Sequence, residues 1–291
     1  MIIPFPPGGG YDLVGRMLAA RLADQLGQPV VAENRGGAGS IIGTELAAKS
    51  VPDGYTLQLG GSASMAINPS LRSQLPYDPI KDFTPVSLVG TAPHIIVVHP
   101  SLAIKATKDL IEVAKAQPGK LNLASTGMGT PSHLAGELFK SMANVDMLQV
   151  HYKGGGPAYI GLLGGEVNVC FCALVSAKPF LKDARLRAVA VTSARRTATM
   201  PEVPTVAETG LPGYEVVNWY SIVLPAGTPK PIVMRLHSEI LKALAAEEVA
   251  KNFDSLGIDV GGSTPEELLA YTRKDIAKWA KVIKFAGIKP E

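Results

Sequence analysis

The chain is 291 residues long, 46% hydrophobic, and carries a formal net charge of +3. That is too apolar for a disordered chain and enough for one large domain or two of ordinary size. The basic residues are dispersed rather than clustered, which disfavours nucleic acid as a partner, and no apolar run is long enough to span a bilayer.

Met1-Ile2-Ile3-Pro4 reads as mid-strand, which points to a trimmed N-terminus and to a secretory leader lost with it. A helix is expected to start at Asp12, with Val14, Leu18 and Leu22 forming one apolar stripe with Leu13 and Met17. Val30-Val31 is a short strand candidate, 41–48 a helix starting at Ser40, and 56–59 a strand after the Asp53-Gly54 turn. The run Ile95-Ile96-Val97-Val98 suits a strand buried on both faces. A second α/β series follows, with helices over 109–117, 131–143 and 157–163 and strands over 121–124, 148–151, 167–172 and 187–191. The stretch 200–214, rich in proline, is expected to be a structured loop with a short helix. Residues 216–224 read as a long strand, and 229–246, 248–256 and 265–285 as helices. Thr264-Pro265-Glu266-Glu267 is a capping box with proline at the first helical position. Arg273, Lys274, Lys278, Lys281 and Lys284 make a solvated face on that last helix. The alternation argues α/β with mainly parallel strands. No flexible linker flanks 95–99 or 216–224, so two domains would be joined by ordered strands.

Two glycine clusters stand where strands give way to helices. Phe5-Pro6-Pro7-Gly8-Gly9-Gly10 precedes the first, and Thr126-Gly127-Met128-Gly129-Thr130-Pro131 precedes another. Glycine lets the backbone approach a ligand closely, and a helix start presents unpaired N–H groups and a positive dipole end. Such a device holds an anion without a charged side chain. In the second cluster Thr130 can cap the helix while Pro131 opens it, leaving N–H groups and the hydroxyls of Ser125, Thr126 and Ser132 for a ligand. A third cluster, Gly154-Gly155-Gly156, follows Tyr152 and Lys153. Lys153 is a charge partner or a surface lysine, and Tyr152 packs on a ligand or on the core.

Enzyme signatures are mostly missing. Both clusters lack the third glycine of the dinucleotide fingerprint, and there is no phosphate-binding Gly-Lys-Ser/Thr and no Gly-x-Ser-x-Gly. His94, His99, His133, His151 and His237 lack metal-ligand spacing, and neither metal nor cofactor is expected. His133 reads as making a local polar contact. Cys170 and Cys172 share one face of a strand, poor geometry for a disulfide, and read as buried free thiols. No nucleophile–base pair stands at a recognisable spacing.

Several segments, in order over nearly the whole chain, are similar to those of one family. They include Pro4-Phe5-Pro6-Pro7-Gly8-Gly9-Gly10, Glu33-Asn34-Arg35-Gly36-Gly37-Ala38-Gly39, Pro52-Asp53-Gly54-Tyr55-Thr56-Leu57, Tyr77-Asp78-Pro79-Ile80-Lys81-Asp82-Phe83, Ser132-His133-Leu134 and Tyr152-Lys153-Gly154. The chain resembles the Bug family, the extracytoplasmic solute-binding receptors of tripartite tricarboxylate transporters. The resemblance implies a type II periplasmic-binding-protein fold of two α/β lobes, 1–97 plus 223–291 and 98–222, with a ligand cleft between them. It implies a periplasmic, non-catalytic monomer that captures a small organic carboxylate for the membrane subunits of such a transporter. By resemblance the ligand contacts are Phe5, Pro7, Gly8, Gly9, Ser62 and Ser64 in one lobe. Those of the other are Ser125, Thr126, Gly129, Thr130, Ser132, Tyr152, Lys153, Gly154, Ala158 and Cys172. Many members carry an acid where this chain has Cys172, which suggests a ligand with a less polar distal end and no amine. The rival readings are an enzyme acting on a carboxylate or acyl substrate through Cys172 or His133, and a carboxylate sensor without a transport role.

Overall fold

A computed structural model describes residues 1–152 and 154–288. The chain begins with β1 (Ile2–Ile3), α1 (Gly10–Leu26), β2 (Glu33–Asn34), α2 (Ile41–Ala48) and β3 (Gln58–Gly61). A π-helical turn, Ser62–Ile67, then leads into α3 (Asn68–Leu71) and β4 (Phe83–Val98). The middle of the chain holds α4 (Thr107–Ala116), β5 (Asn122–Ser125), α5 (Pro131–Ala143), β6 (Leu148–His151), α6 (Gly155–Leu163), β7 (Val169–Ala173), α7 (Leu174–Lys182) and β8 (Arg187–Val191). It closes with β9 (Val217–Pro225), α8 (Lys230–Leu244), α9 (Glu247–Ser255), β10 (Asp259–Val260) and α10 (Pro265–Phe285).

Two compact units result. The first contains Met1–Thr91 and Trp219–Lys281, the second Ala92–Asn218 and Val282–Gly287. The breaks at Thr91/Ala92 and Asn218/Trp219 lie inside β4 and β9, N-terminal to the expected 97/98 and 222/223.

In the first unit β1 runs parallel to β2 and β3, with Ile2 opposite Glu33 and Gln58, while β3 is antiparallel to β9. Ile3, Val14, Leu18, Leu22 and Leu59 are fully buried there. Leu13 departs from the expected stripe and is 43% exposed, because its neighbour Val14 already points at the sheet. In the second unit β5 is parallel to β6 and β7, whereas β4 is antiparallel to β7 and β8. The sheets are therefore mixed rather than mainly parallel, the antiparallel members being the strands at which the chain changes unit. Ile95, Val97, Leu162, Val191 and both cysteines form one core face of this unit. Phe139 makes edge contacts with both Phe171 and Tyr214 elsewhere in it.

Other expectations need correction. The strand expected at Val30-Val31 falls at Glu33–Asn34, because β1 has only two residues and on that side they pair with this dipeptide. Val31 is left 72% exposed. The strand expected at 56–59 shifts to Gln58–Gly61. α7 forms where no helix is expected, and it carries Pro179 in its interior. Residues 200–214 form turns without the short helix.

In the first unit, Trp219 Nε1 and Trp279 Nε1 both donate to Asp275 Oδ2, at 2.8 and 3.0 Å. Both rings are fully buried. Asp275→Leu would leave two indole N–H groups unpaired, and each such donor costs about 1–3 kcal/mol. Chemical denaturation should show a loss of at least about 2 kcal/mol. A variant as stable as the parent would mean that the indoles find other acceptors.

Candidate functional site

The helix expected to start at Asp12 starts at Gly10, with Gly9 as an N-cap that has no side chain to cap with. Asp12, on the first turn, reaches back instead. Gly8 N–H donates to Asp12 Oδ2 at 2.9 Å, while Arg16 Nε and Asn34 Nδ2 donate to Oδ1 at 2.8 and 2.9 Å. The Gly8 N–H first, with Asn34 and Arg16 behind it, holds the Asp12 carboxyl below its ordinary range against the opposing pull of burial. Gly8 takes φ +86°, a conformation that a side chain would strain. Asn34 also donates to Phe5 O at 3.1 Å, and the half-buried Phe5 ring stacks on Tyr11 at 4.0 Å between centroids. Pro7, Gly8 and Gly9 are exposed, and a Cβ added at Gly8 or Gly9 would meet nothing within 4 Å. The loop just before α1 is therefore open at Gly8 and Gly9, whereas a Cβ at Gly10 would meet the Tyr220 hydroxyl.

Ser62 and Ser64 stand at the entry of the π-helical turn and are fully buried. Ser64 Oγ accepts the Gly61 N–H at 3.1 Å, and Tyr77 Oη donates to Ser64 O at 2.7 Å. A Cβ at Gly61 would collide with Tyr11 Oη and the Trp219 carbonyl, so only glycine fits. Tyr11, unnoticed in the sequence, joins both loops: it stacks on Phe5, donates to Trp219 O at 3.2 Å and meets Tyr220 edge-on at 4.7 Å.

In the second unit residues 126–130 link β5 to α5. Thr130 is the N-cap as expected, its Oγ1 accepting from His133 N at 3.3 Å and donating to Gly127 O at 2.7 Å. Ser125 and Ser132 are fully buried and hold the loop from beneath. Ser132 Oγ donates to Phe171 O at 2.6 Å and accepts the Thr126 N–H at 3.3 Å. Ser125 Oγ accepts the Gly127 N–H at 3.4 Å and lies 2.7 Å from His151 Nδ1, because parallel pairing sets Ser125 opposite His151. Gly129 N–H donates to His133 Nδ1 at 3.0 Å. Thr126 and Gly129 are half-buried, and Met128 at the tip is 64% exposed. Gly154 N–H donates to Thr126 O at 3.1 Å, tying the third glycine cluster to this loop. A Cβ at Gly154, Gly155 or Gly156 would meet nothing within 4 Å, so the start of α6 is also open.

Three residues named in the sequence turn inward. Tyr152 packs on the core beside α6, its Oη donating to Glu166 Oε2 at 3.3 Å. Ala158 is fully buried in the same cluster. Cys172 is 1% exposed, and Cys170 and Cys172 are not free thiols but are bonded to each other. Their shared face brings the Cα atoms to 5.5 Å, within bridging range, so the expectation of two free thiols is corrected. Lys153 lies outside the described residues. Among the described residues no three His, Cys, Asp or Glu side chains could hold a metal ion together.

The family described as "Tripartite tricarboxylate transporter family receptor" matches residues 14–288. The chain belongs to this family. It is 39% identical to the protein BugT of Bordetella pertussis over 290 residues, covering 99% of this chain and 89% of BugT. The structure of Rpa4515 of R. palustris with adipate superposes with a TM-score of 0.87 at 36% identity, covering 100% of this chain and 97% of that one. MatC of Rhodopseudomonas palustris with bound malate superposes with a TM-score of 0.81 at 32% identity, covering 97% of each. The fold is the two-lobe α/β fold of periplasmic binding proteins, and the chain is Bug-like in family terms.

Asp12→Ala would remove the acceptor shared by Gly8, Arg16 and Asn34. Hydrogen bonds to a charged group contribute about 1.5–3 kcal/mol, so a loss in this range is expected by chemical denaturation at neutral pH. The Asp12 carboxyl lies below its ordinary range in the folded chain. Its contribution is therefore present above the unfolded-state value and is lost as pH falls through the folded one. Parent and variant should converge in strong acid, and a difference that persists there would assign the effect to packing.

Proposed function

We propose that this protein is a periplasmic solute-binding receptor that captures a small organic carboxylate between its lobes. It then delivers the ligand to the membrane subunits of a tripartite tricarboxylate transporter. The observation that carries this reading is the pair of strand–glycine–helix starts, one in each unit, in a chain whose relatives hold adipate and malate. Helix N-termini suit a carboxylate, since their unpaired amides and dipole favour negative charge. In this reading the loop at Pro7, Gly8 and Gly9 grips one side, and Thr126, Gly129, Thr130 and Gly154 the other. Lobe closure excludes water and strengthens each hydrogen bond. No described helix is long and apolar enough to cross a membrane.

One contact raises the enzyme reading. Ser125 Oγ and His151 Nδ1, 2.7 Å apart, have the separation of a nucleophile and its base. Ser125 is fully buried, however, and its Oγ also takes the Gly127 N–H. An attacking hydroxyl must reach its substrate, and this one is enclosed beneath the loop, so the receptor reading is preferred.

A thermal-shift panel of small mono- and dicarboxylates, including adipate and malate, tests the function. A ligand at about a hundred times its dissociation constant should add about 2.7 kcal/mol of stability. A panel without any stabilising acid would overturn the reading. Gly9→Val tests the first loop. Gly9 has φ −89° and no neighbour near its absent Cβ, so the free protein should lose no more than about 1 kcal/mol. The affinity for a stabilising acid should fall at least about tenfold, since the new side chain fills the ligand's path. Unchanged affinity would move the site elsewhere.

A further inference from the structure

Two imidazoles stand behind the glycine loop of the second unit. His133, in the first turn of α5, is 4% exposed, and its Nδ1 accepts the Gly129 N–H at 3.0 Å. A ring nitrogen that accepts carries no proton, so His133 is the neutral Nε2–H form. The His151 ring meets it edge-on, 4.6 Å between centroids, and contacts Ser125 Oγ. Gly127 and Gly129 are thereby both tied to one buried polar patch.

We propose that His133 is a positioning residue for carboxylate binding, its neutral imidazole holding Gly129 and so keeping residues 126–130 in their ligand-ready form, and its protonation releasing them. The proposal rests on the receptor reading for its ligand, though not for its loop. The reason is geometric. A protonated imidazole carries N–H at both nitrogens, so Nδ1 would face the Gly129 N–H donor to donor.

The charged groups beside the ring are few. On α5, Glu137 Oε1 lies 3.9 Å from His133 Nε2 and 2.7 Å from Lys140 Nζ, so that carboxylate is already paired. The strands packed under α5, Asn122–Ser125, Leu148–His151 and Val169–Ala173, contain no acid, lysine or arginine and bring only His151 as a titrating group. Burial first, then His151 and Lys140, push the His133 pKa down from 6.5 to about 4, and burial lowers that of His151. A folded value below the unfolded one means that the hold is complete above the unfolded pKa of 6.5 and is lost as pH falls toward 4.

The test compares the parent with His133→Leu and His133→Asn, the latter placing Oδ1 near the position of Nδ1 without a titrating proton. Amide hydrogen exchange by NMR needs no ligand. At neutral pH, Gly129 should exchange about tenfold faster in His133→Leu than in the parent, with His133→Asn nearer the parent. Equal exchange in parent and His133→Leu overturns the proposal. Should His133→Leu not fold, the parent and His133→Asn decide. After correction for intrinsic rates, Gly129 protection should fall with acid in the parent alone, and parallel behaviour overturns the proposal. Titration calorimetry with adipate and malate adds the functional arm. Affinity should fall about tenfold in His133→Leu and recover in part in His133→Asn. The ratio of parent to His133→Asn affinities, which cancels titration of the probe, should decline as pH is lowered toward 4. A flat ratio overturns the proposal. If neither acid binds the parent, the receptor reading for these acids fails, while the exchange data still decide the role of His133.

Discussion

The Asp12 carboxylate holds the first glycine loop from behind. It accepts from Gly8 on the loop, Arg16 one helical turn on, and Asn34 on β2, which in turn donates to Phe5 O. A single buried acid thus fixes the loop, the start of α1 and the neighbouring strand to one another. It also complements the positive end of the helix dipole. Arg16 pairs with it, so the loop remains electrically close to neutral and would not repel an anion at its outer face.

The second unit secures its loop with neutral groups. Thr126, Gly127 and Gly129 each direct an N–H inward, to Ser132 Oγ, Ser125 Oγ and His133 Nδ1 respectively. These hydroxyls looked available to a ligand in the sequence, and the structure occupies them within the protein. What stays open is backbone, at the start of α6 around Gly154 to Gly156. The two loops share one logic, in which side chains accept the loop's own N–H groups and so fix its backbone.

Much of this was legible because its signals are local. Helices 131–143 and 41–48 and strands 148–151 and 187–191 occupy the residues that periodicity and flanking glycine or proline indicated. What escaped depends on partners distant in sequence. Glu33–Asn34 is a strand only because Ile2 and Ile3 lie beside it, and its residues carry no strand propensity of their own. His151 meets Ser125 only through the register of two parallel strands, 26 residues apart in the chain. The shared face of the two cysteines is legible in the sequence, but their bond is not, since an ideal strand spacing does not show the 5.5 Å approach of their Cα atoms. α7, with Pro179 in its interior, is held by packing against the core of that unit.

The charge content of the loops has a further consequence. Residues 4–10, 61–64, 125–133 and 152–158 contain Lys153 as their one lysine or arginine. A carboxylate held there is held mainly by aligned dipoles and hydrogen bonds, not by an ion pair reaching through solvent. Salt screens separated exposed charges strongly and enclosed, short-range contacts much less. Such a grip would keep its strength across ionic strengths. On the reading proposed above acid would act differently, because protonation of the ligand, of Asp12 or of His133 would each remove a negative charge or an acceptor. A site of that kind would be nearly indifferent to salt and sensitive to protons for one and the same reason, its dependence on short hydrogen bonds.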